Sequence, residues 1–266
     1  VYLRCDTFKS FLSGFFLGKF DVVLVDSIYF LPSIILARWH SLWYSTRVII
    51  STHGGLNIFK GERKKLLYTY LLSFWRYPTF AVAGKSELNR ANKLGLKCQL
   101  VRNGVEFKED VAERTAERNE IVYLGRNDVF GKGFDRMFEF LRENLSLTIN
   151  AYGKGLDVVV PKDLQNRFLC NDPVFGAEKA KVIKESSGLI LLSRREGLPM
   201  SCIESLSLGR PVIVSTECNL DDIYGVTMYN GGEIQWELFD TDKIKLEARK
   251  YYEIEVIVES YINIWS

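Results

Sequence analysis

Short apolar runs that stop at a glycine or a polar loop and restart as an amphipathic helix set the architecture, and residues 188–216 show the pattern in full. Gly188 to Leu192 is apolar without a helical period, which fits a strand buried on both faces of a parallel sheet. Ser193 to Gly197 is a polar loop, and Pro199 suits the first turn of a helix, where its missing N–H costs nothing. Met200, Ile203 and Leu206 then supply an apolar face at helical spacing. Gly209 falls where a left-handed residue would stop that helix, and Pro211 to Val214 reads as the next buried strand. The loop therefore lies at the carboxyl end of its strand, where open α/β sheets bind ligands.

Two carboxylates stand out in this unit. Glu196 is in the loop, and Glu204 is inside the helix among Ile203, Leu206 and Leu208. A carboxylate close to an apolar side needs partners, and sugar hydroxyls can donate to it. The helix N-terminus beside Glu196 offers unpaired N–H groups and a positive dipole end, a seat for phosphate. A nucleotide sugar carries both parts. Taken singly, Glu196 also fits a solvated loop residue and Glu204 a surface helix residue.

Taken as one string, Glu196-Gly197-Leu198-Pro199, then Glu204, then Gly209-Arg210-Pro211-Val212-Ile213 resembles the E-x7-E signature of glycosyltransferase family 4, the group 1 retaining transferases. The resemblance extends over about residues 21–224, stronger in the second half than in the first. It implies that Glu196 meets the hydroxyls of the transferred sugar, that Glu204 meets the ribose of the nucleotide, and that Gly197 and Leu198 belong to the donor-binding loop.

The chain in order repeats the alternation. Thr7 to Lys19 reads as a short helix, Asp21 to Asp26 as a buried strand, Ser33 to Leu42 as a helix and Arg47 to Ser51 as a strand running into Thr52-His53-Gly54-Gly55. Strands alternating with helices argue for an open, mostly parallel sheet. His53 precedes two glycines that allow close backbone approach; taken singly it fits a structural or solvated turn residue, and the family resemblance implies a His-Gly pair at the sugar end of the cleft. His40 has no such context and reads as structural. Gly61 to Tyr77 is a basic, aromatic helix. It fits either a helix packed on the sheet with a solvated basic end or an interfacial helix drawn to anionic lipid. Thr79 to Ala83 and Gln99 to Val101 are strands, with Ser86 as the expected cap of a helix over Glu87 to Leu94. Gly84-Lys85-Ser86 is no phosphate loop, because position 79 is Thr where that motif needs Gly.

Phe107 to Asn119 is charge-rich and poor in apolar residues, the best domain boundary in the chain. Glu120 to Gly125 opens a second α/β domain, Arg126 follows that strand, and Lys132-Gly133 precedes an amphipathic helix from Phe134 to Leu141. Two cations at a strand end and a helix start can neutralise a leaving diphosphate, and the resemblance puts Arg126 and Lys132 on the family's diphosphate-binding positions. Ser146 to Tyr152 and Arg167 to Cys170 are strands, Ala177 to Ser186 is a helix, and Thr241 to Trp265 is mostly helical. Gly153-Lys154-Gly155 lacks a third glycine at Val158, so no dinucleotide fingerprint exists. In the family the loop here, Asp172 to Phe175, touches the base through backbone atoms. Phe175 fits either packing on the base or, as the expected role, core packing.

Composition narrows the function classes. At 266 residues the chain holds two modest domains or one large one, and 47% hydrophobic content calls for a folded core. A net charge of +2 argues against a dedicated nucleic-acid binder. Cys5, Cys98, Cys170, Cys202 and Cys218 are scattered without a C-x-x-C, which favours the reducing cytoplasm over a disulfide framework or a zinc site. The apolar run from Val22 to Ala37 is broken by Asp26 and Pro32 and is too short to span a bilayer. The chain begins at Val1 without Met, as a piece of a longer protein would.

The resemblance implies a GT-B-like α/β architecture of two Rossmann-like domains facing across a cleft. Residues 1–107 would form an acceptor-side domain lacking its opening strand and Gly-rich loop. Residues 108–252 would form the nucleotide-sugar-binding domain, and residues 253–266 a helix crossing back toward the first. The expected reaction moves a sugar, with retention, from a UDP- or GDP-linked donor to a glycan or lipid-linked acceptor, without cofactor or metal. Glu196, His53, Arg126 and Lys132 would carry the chemistry, and Glu204, Gly197 and Leu198 would hold the donor with the two cations. Partners would be the nucleotide sugar, the acceptor and, through the 61–77 helix, the inner face of a membrane. An inactive nucleotide-binding module and another GT-B-type enzyme, such as a nucleotide-sugar epimerase, are the alternatives.

Overall fold

A computed structural model describes residues 20–25, 31–44, 46–52, 79–93, 95–107, 119–234 and 239–265. The expected helices over 7–19 and 61–77, the His53 turn and most of the charge-rich boundary segment lie outside the described residues. The chain divides into two compact units, one of Val1–Arg102 with Glu259–Ser266 and one of Asn103–Val258.

In the first unit, β1 (Val22–Val25), β2 (Arg47–Ser51), β3 (Thr79–Val82) and β4 (Cys98–Leu100) form a parallel sheet in that order. Helices α1 (Leu31–Tyr44) and α2 (Lys85–Lys93) complete the described elements. Val48, Ile50, Phe80 and Val82 alternate with equally buried neighbours, so these strands read as continuous apolar runs, as parallel strands covered on both faces do. His40 is buried, with Nδ1 2.8 Å from the Thr46 hydroxyl, which itself donates to the Phe20 carbonyl at 2.6 Å. His40 is thus a core residue, as the sequence led us to expect. Ser86 is not the cap of α2: it lies in the first turn, and the buried Glu87 carboxylate accepts the Ala83 N–H at 3.3 Å. The Glu87 carboxylate reaches back to an N–H ahead of the helix, as the acidic partner of a capping box does.

The second unit is a parallel sheet of order β10-β9-β8-β5-β6-β7. Its strands are β5 (Glu120–Leu124), β6 (Thr148–Tyr152), β7 (Phe168–Asn171), β8 (Gly188–Leu191), β9 (Val212–Val214) and β10 (Val226–Met228). Its helices are α3 (Phe134–Glu143), α4 (Gly176–Glu185), α5 (Met200–Ser207), α6 (Thr241–Tyr252) and α7 (Ile254–Trp265), whose last residues belong to the first unit. Strands β5, β6 and β7 run outward one way and β8, β9 and β10 the other, so the order reverses between β5 and β8. Such a reversal point, at the carboxyl ends of the strands, is where open α/β sheets bind ligands.

Helix α5 ends where the sequence says it should. Gly209 has φ 73°, its N–H bonds to Leu206 O at 3.0 Å, and Arg210 N–H bonds to Ser205 O at 2.9 Å, a Schellman closure. Pro199 stands one residue earlier than expected, at the cap and with extended ψ. Ile203 and Leu206 are fully buried, whereas Met200, expected on the same apolar face, is 40% exposed at the helix start. The tail is two helices because Glu253 is extended, and Val105 pairs with it there. No helix among the described residues is long and apolar enough to cross a membrane.

Candidate functional site

Strand β5 delivers its loop against the end of β8. Gly133 adopts φ 70°, and a Cβ on it would lie 2.1 Å from Leu192 O, so only glycine lets the two chains approach this closely. Lys132, next to that contact, makes an ion pair with Glu196 Oε1 from the loop after β8. Each of the two side chains is 14% exposed. The buried Ser193 hydroxyl donates to the same Glu196 oxygen at 2.9 Å, and the Asn219 amide donates to the Glu196 carbonyl at 2.9 Å. Glu196 Oε2 has no protein partner among the described residues.

Arg194 latches the same two loops together. Its N–H bonds to Gly131 O at 2.8 Å, and its guanidinium donates to Phe130 O at 2.8 Å and to both Asp135 oxygens at 2.7 and 2.5 Å. The hydrogen bond from Arg194 holds the Asp135 carboxyl below its usual range. Arg136 ties in a further loop, with Nη1 3.3 Å from Leu192 O and Nη2 3.1 Å from Glu217.

Arg126 follows β5 with an exposed side chain that makes no hydrogen bond or ion pair among the described residues. Its carbonyl accepts the Tyr123 hydroxyl at 2.9 Å. Burial, then the nearby charges of Glu196 and Asp128, push the Tyr123 phenol up, so it stays a neutral donor. Below Glu196, burial raises the Cys202 thiol well above its ordinary value and the Cys218 thiol to about 11. The described cysteines are free thiols.

Glu204 takes a different partner. Lys179, on α4, forms an ion pair with Glu204 Oε2, without the directional geometry of a hydrogen bond. The two side chains are 27% and 32% exposed, Lys179 first, so Glu204 is neither buried in the apolar face nor freely solvated. Gly197 is half-buried and Leu198 is buried, with the Leu198 carbonyl accepting the Asn103 amide at 3.0 Å. An open cavity of about 520 Å³ lies at the ends of β6 and β7, lined by Gly153, Gly155, Leu156, Asp157, Cys170, Asn171 and Asp172. Phe175 does not pack in the core: it is 75% exposed at the N-cap of α4, in extended backbone.

Within this unit the fold joins Lys132 to Glu196, and Gly197 and Leu198 follow Glu196 in the same loop. Arg126 stands at the start of the same β5 loop, and Glu204 on α5 is held separately by Lys179. His53 lies outside the described residues. Lys179, Ser193, Arg194 and Asn219 were not singled out from the sequence. Lys179 and Asn219 reach Glu204 and Glu196 through tertiary contacts, Ser193 reaches Glu196 within its own loop, and Arg194 ties that loop to the one that carries Lys132; only the position of Ser193 and Arg194 beside Glu196 offered a local signal.

No protein-family model and no curated protein matches the sequence. Solved structures do resemble this one. HepE from Anabaena, in complex with UDP and glucose, is 10% identical with a TM-score of 0.70, over 96% of this chain and 79% of HepE. Sucrose-phosphate synthase from Thermosynechococcus elongatus is 13% identical with a TM-score of 0.72, over 97% of this chain and 76% of the synthase. The lipopolysaccharide outer core galactosyltransferase WaaB, in its apo form, is 17% identical with a TM-score of 0.67, over 96% of this chain and 79% of WaaB. The fold is therefore GT-B, with two Rossmann-like α/β units.

Proposed function

We propose that this protein is a nucleotide-sugar-dependent glycosyltransferase of the family 4 type, acting with retention on a glycan or lipid-linked glycan. The observation that carries the reading is the Lys132–Glu196 pair at the point where the strand order reverses, with Arg126 on the same loop. A cation and a carboxylate so placed have separate tasks once a donor enters. Lys132 and Arg126 would take the diphosphate, aided by the N-terminal end of α5, and Glu196 would orient the sugar through its hydroxyls. Preorganised cationic donors aimed at charge that develops on the leaving group commonly supply about 10²–10³ in rate each. Cationic side chains and the helix end suffice for that charge, so the proposal invokes no divalent ion.

Glu204, steered by Lys179, would accept the ribose hydroxyls, and the cavity at the ends of β6 and β7 would receive the base. His53 would help position the donor or the acceptor. UDP-glucose, bound by the structurally similar HepE, is the first donor to try, with GDP-sugars beside it.

The test is donor turnover. The chain is incubated with UDP- and GDP-sugars and glycan acceptors, nucleoside diphosphate release is followed, and the anomeric configuration of the product is read by proton NMR. The expected result is release from one donor class, an axial or equatorial bond matching the donor, and about a hundredfold loss in Arg126→Ala and Lys132→Ala. Inverted product would contradict retention, and sugar epimerised without transfer would replace the transferase reading.

A further inference from the structure

We propose that Asn219 is a positioning residue that sets the direction of the Glu196–Gly197 peptide. Asn219 is the one non-glycine residue with positive φ among the described residues, at 57°. It follows the 3-10 turn Thr216–Cys218, and its Nδ2 donates to Glu196 O at 2.9 Å and to Glu217 O at 3.0 Å. Two carbonyls on one amide nitrogen fix which end of the side-chain amide faces the loop. In a planar trans peptide the C=O and the following N–H point opposite ways. Pinning the Glu196 carbonyl toward Asn219 therefore turns the Gly197 N–H the other way, away from the β9 loop.

The same segment is held at its far end. Asn103 Nδ2 donates to Leu198 O at 3.0 Å, and Leu198 precedes Pro199, which has no N–H to offer. The Glu196 carboxylate is held independently, by Lys132 and by the Ser193 hydroxyl at 2.9 Å. Main chain and side chain of Glu196 thus have different anchors, and the main-chain anchor is Asn219.

The backbone at position 219 argues that the amide matters. A left-handed residue is accommodated best by glycine, and asparagine is tolerated there at a cost. A purely conformational role would be served better by glycine. What asparagine adds is the amide that reaches across to Glu196. This proposal rests on the donor-site reading only for its consequence in turnover; the orientation of the loop is a property of the empty protein.

The test uses Asn219→Gly, which keeps the left-handed backbone without strain and removes the amide, and Asn219→Asp, which keeps the side-chain shape but cannot donate. Amide hydrogen exchange over residues 193–201 is followed by mass spectrometry in the intact chain, beside the melting temperature. The expected result is exchange faster by about tenfold in both variants over that segment, with exchange elsewhere unchanged and the melting temperature of Asn219→Gly not lowered. Wild-type exchange in Asn219→Gly overturns the proposal. With a donor that turns over, kcat is expected to fall about tenfold or more in Asn219→Gly while the Kd for the nucleoside diphosphate moves about threefold or less. A wild-type kcat in that variant would equally overturn it. If the wild-type protein neither binds nucleoside diphosphates nor consumes donor, the donor-site reading fails and the exchange comparison alone decides.

Discussion

Lys132 and Glu196 are 64 residues apart in sequence and form an ion pair in the structure, each with a side chain 14% exposed. Removing the cation leaves a nearly enclosed carboxylate with the Ser193 hydroxyl as its remaining side-chain partner. Lys132→Met is therefore expected to destabilise the second unit by about 1–3 kcal/mol, toward the low side of what broken buried pairs cost. Lys132→Met/Glu196→Gln, which removes both charges, is expected to recover part of that loss. A double-mutant cycle in urea measures it, and additive effects would contradict a coupled pair.

Gly133 leaves no room for a side chain. A methyl group there would lie 2.1 Å from the Leu192 carbonyl on a backbone at φ 70°, so the β5 loop would have to leave the end of β8. Gly133→Ala is expected to cost about 2–4 kcal/mol and to abolish donor use, because Lys132 moves with its neighbour. Urea denaturation reads the first effect and nucleotide release the second.

Glu204 offers its carboxylate beside Lys179. If it accepts ribose hydroxyls, a 2′-deoxynucleoside diphosphate should bind the wild-type chain about tenfold more weakly than the ribonucleotide. In Glu204→Ala the two should bind alike. Lys179→Met should weaken the ribonucleotide more than the 2′-deoxynucleotide and so narrow their ratio, since Lys179 acts on the sugar only by steering Glu204. Calorimetric titration distinguishes these outcomes.

The buried thiols give a pH dependence. Burial raises Cys218 from 9.0 to about 11, and raises Cys202 well above 9.0, so the folded state favours the neutral thiols. Their contribution to stability is complete below pH 9 and is lost as pH rises from about 9 toward 11 and beyond, where the unfolded chain has already ionised. Unfolding free energy is expected to fall over that range less steeply in Cys218→Ala. At pH 8, iodoacetamide should label the exposed Cys170 and leave Cys202 and Cys218 intact until denaturant is added.

What the sequence made legible follows from burial. Strands β2, β5 and β8 are apolar runs enclosed on both faces, and Arg47, Glu120 and Gly188 open them as expected. β10, Val226–Met228, was missed: it is an edge strand, half-buried throughout, with no alternation or run long enough to mark it. The acidic spacing of Glu196 and Glu204 and the cations Arg126 and Lys132 were visible because they are local strings. Their partners were not. Lys179, Arg194 and Asn219 meet the site across tens of residues, and nothing in a string of letters encodes a contact that only the strand order creates.

The most direct measurement is calorimetric titration of UDP and GDP into the folded chain, beside Arg126→Ala and Glu204→Ala. The expected result is that one of the two nucleotides binds and that each substitution weakens it by about tenfold or more. Failure of the folded chain to bind either nucleotide would contradict a donor site in the second unit. So would binding that both substitutions leave unchanged.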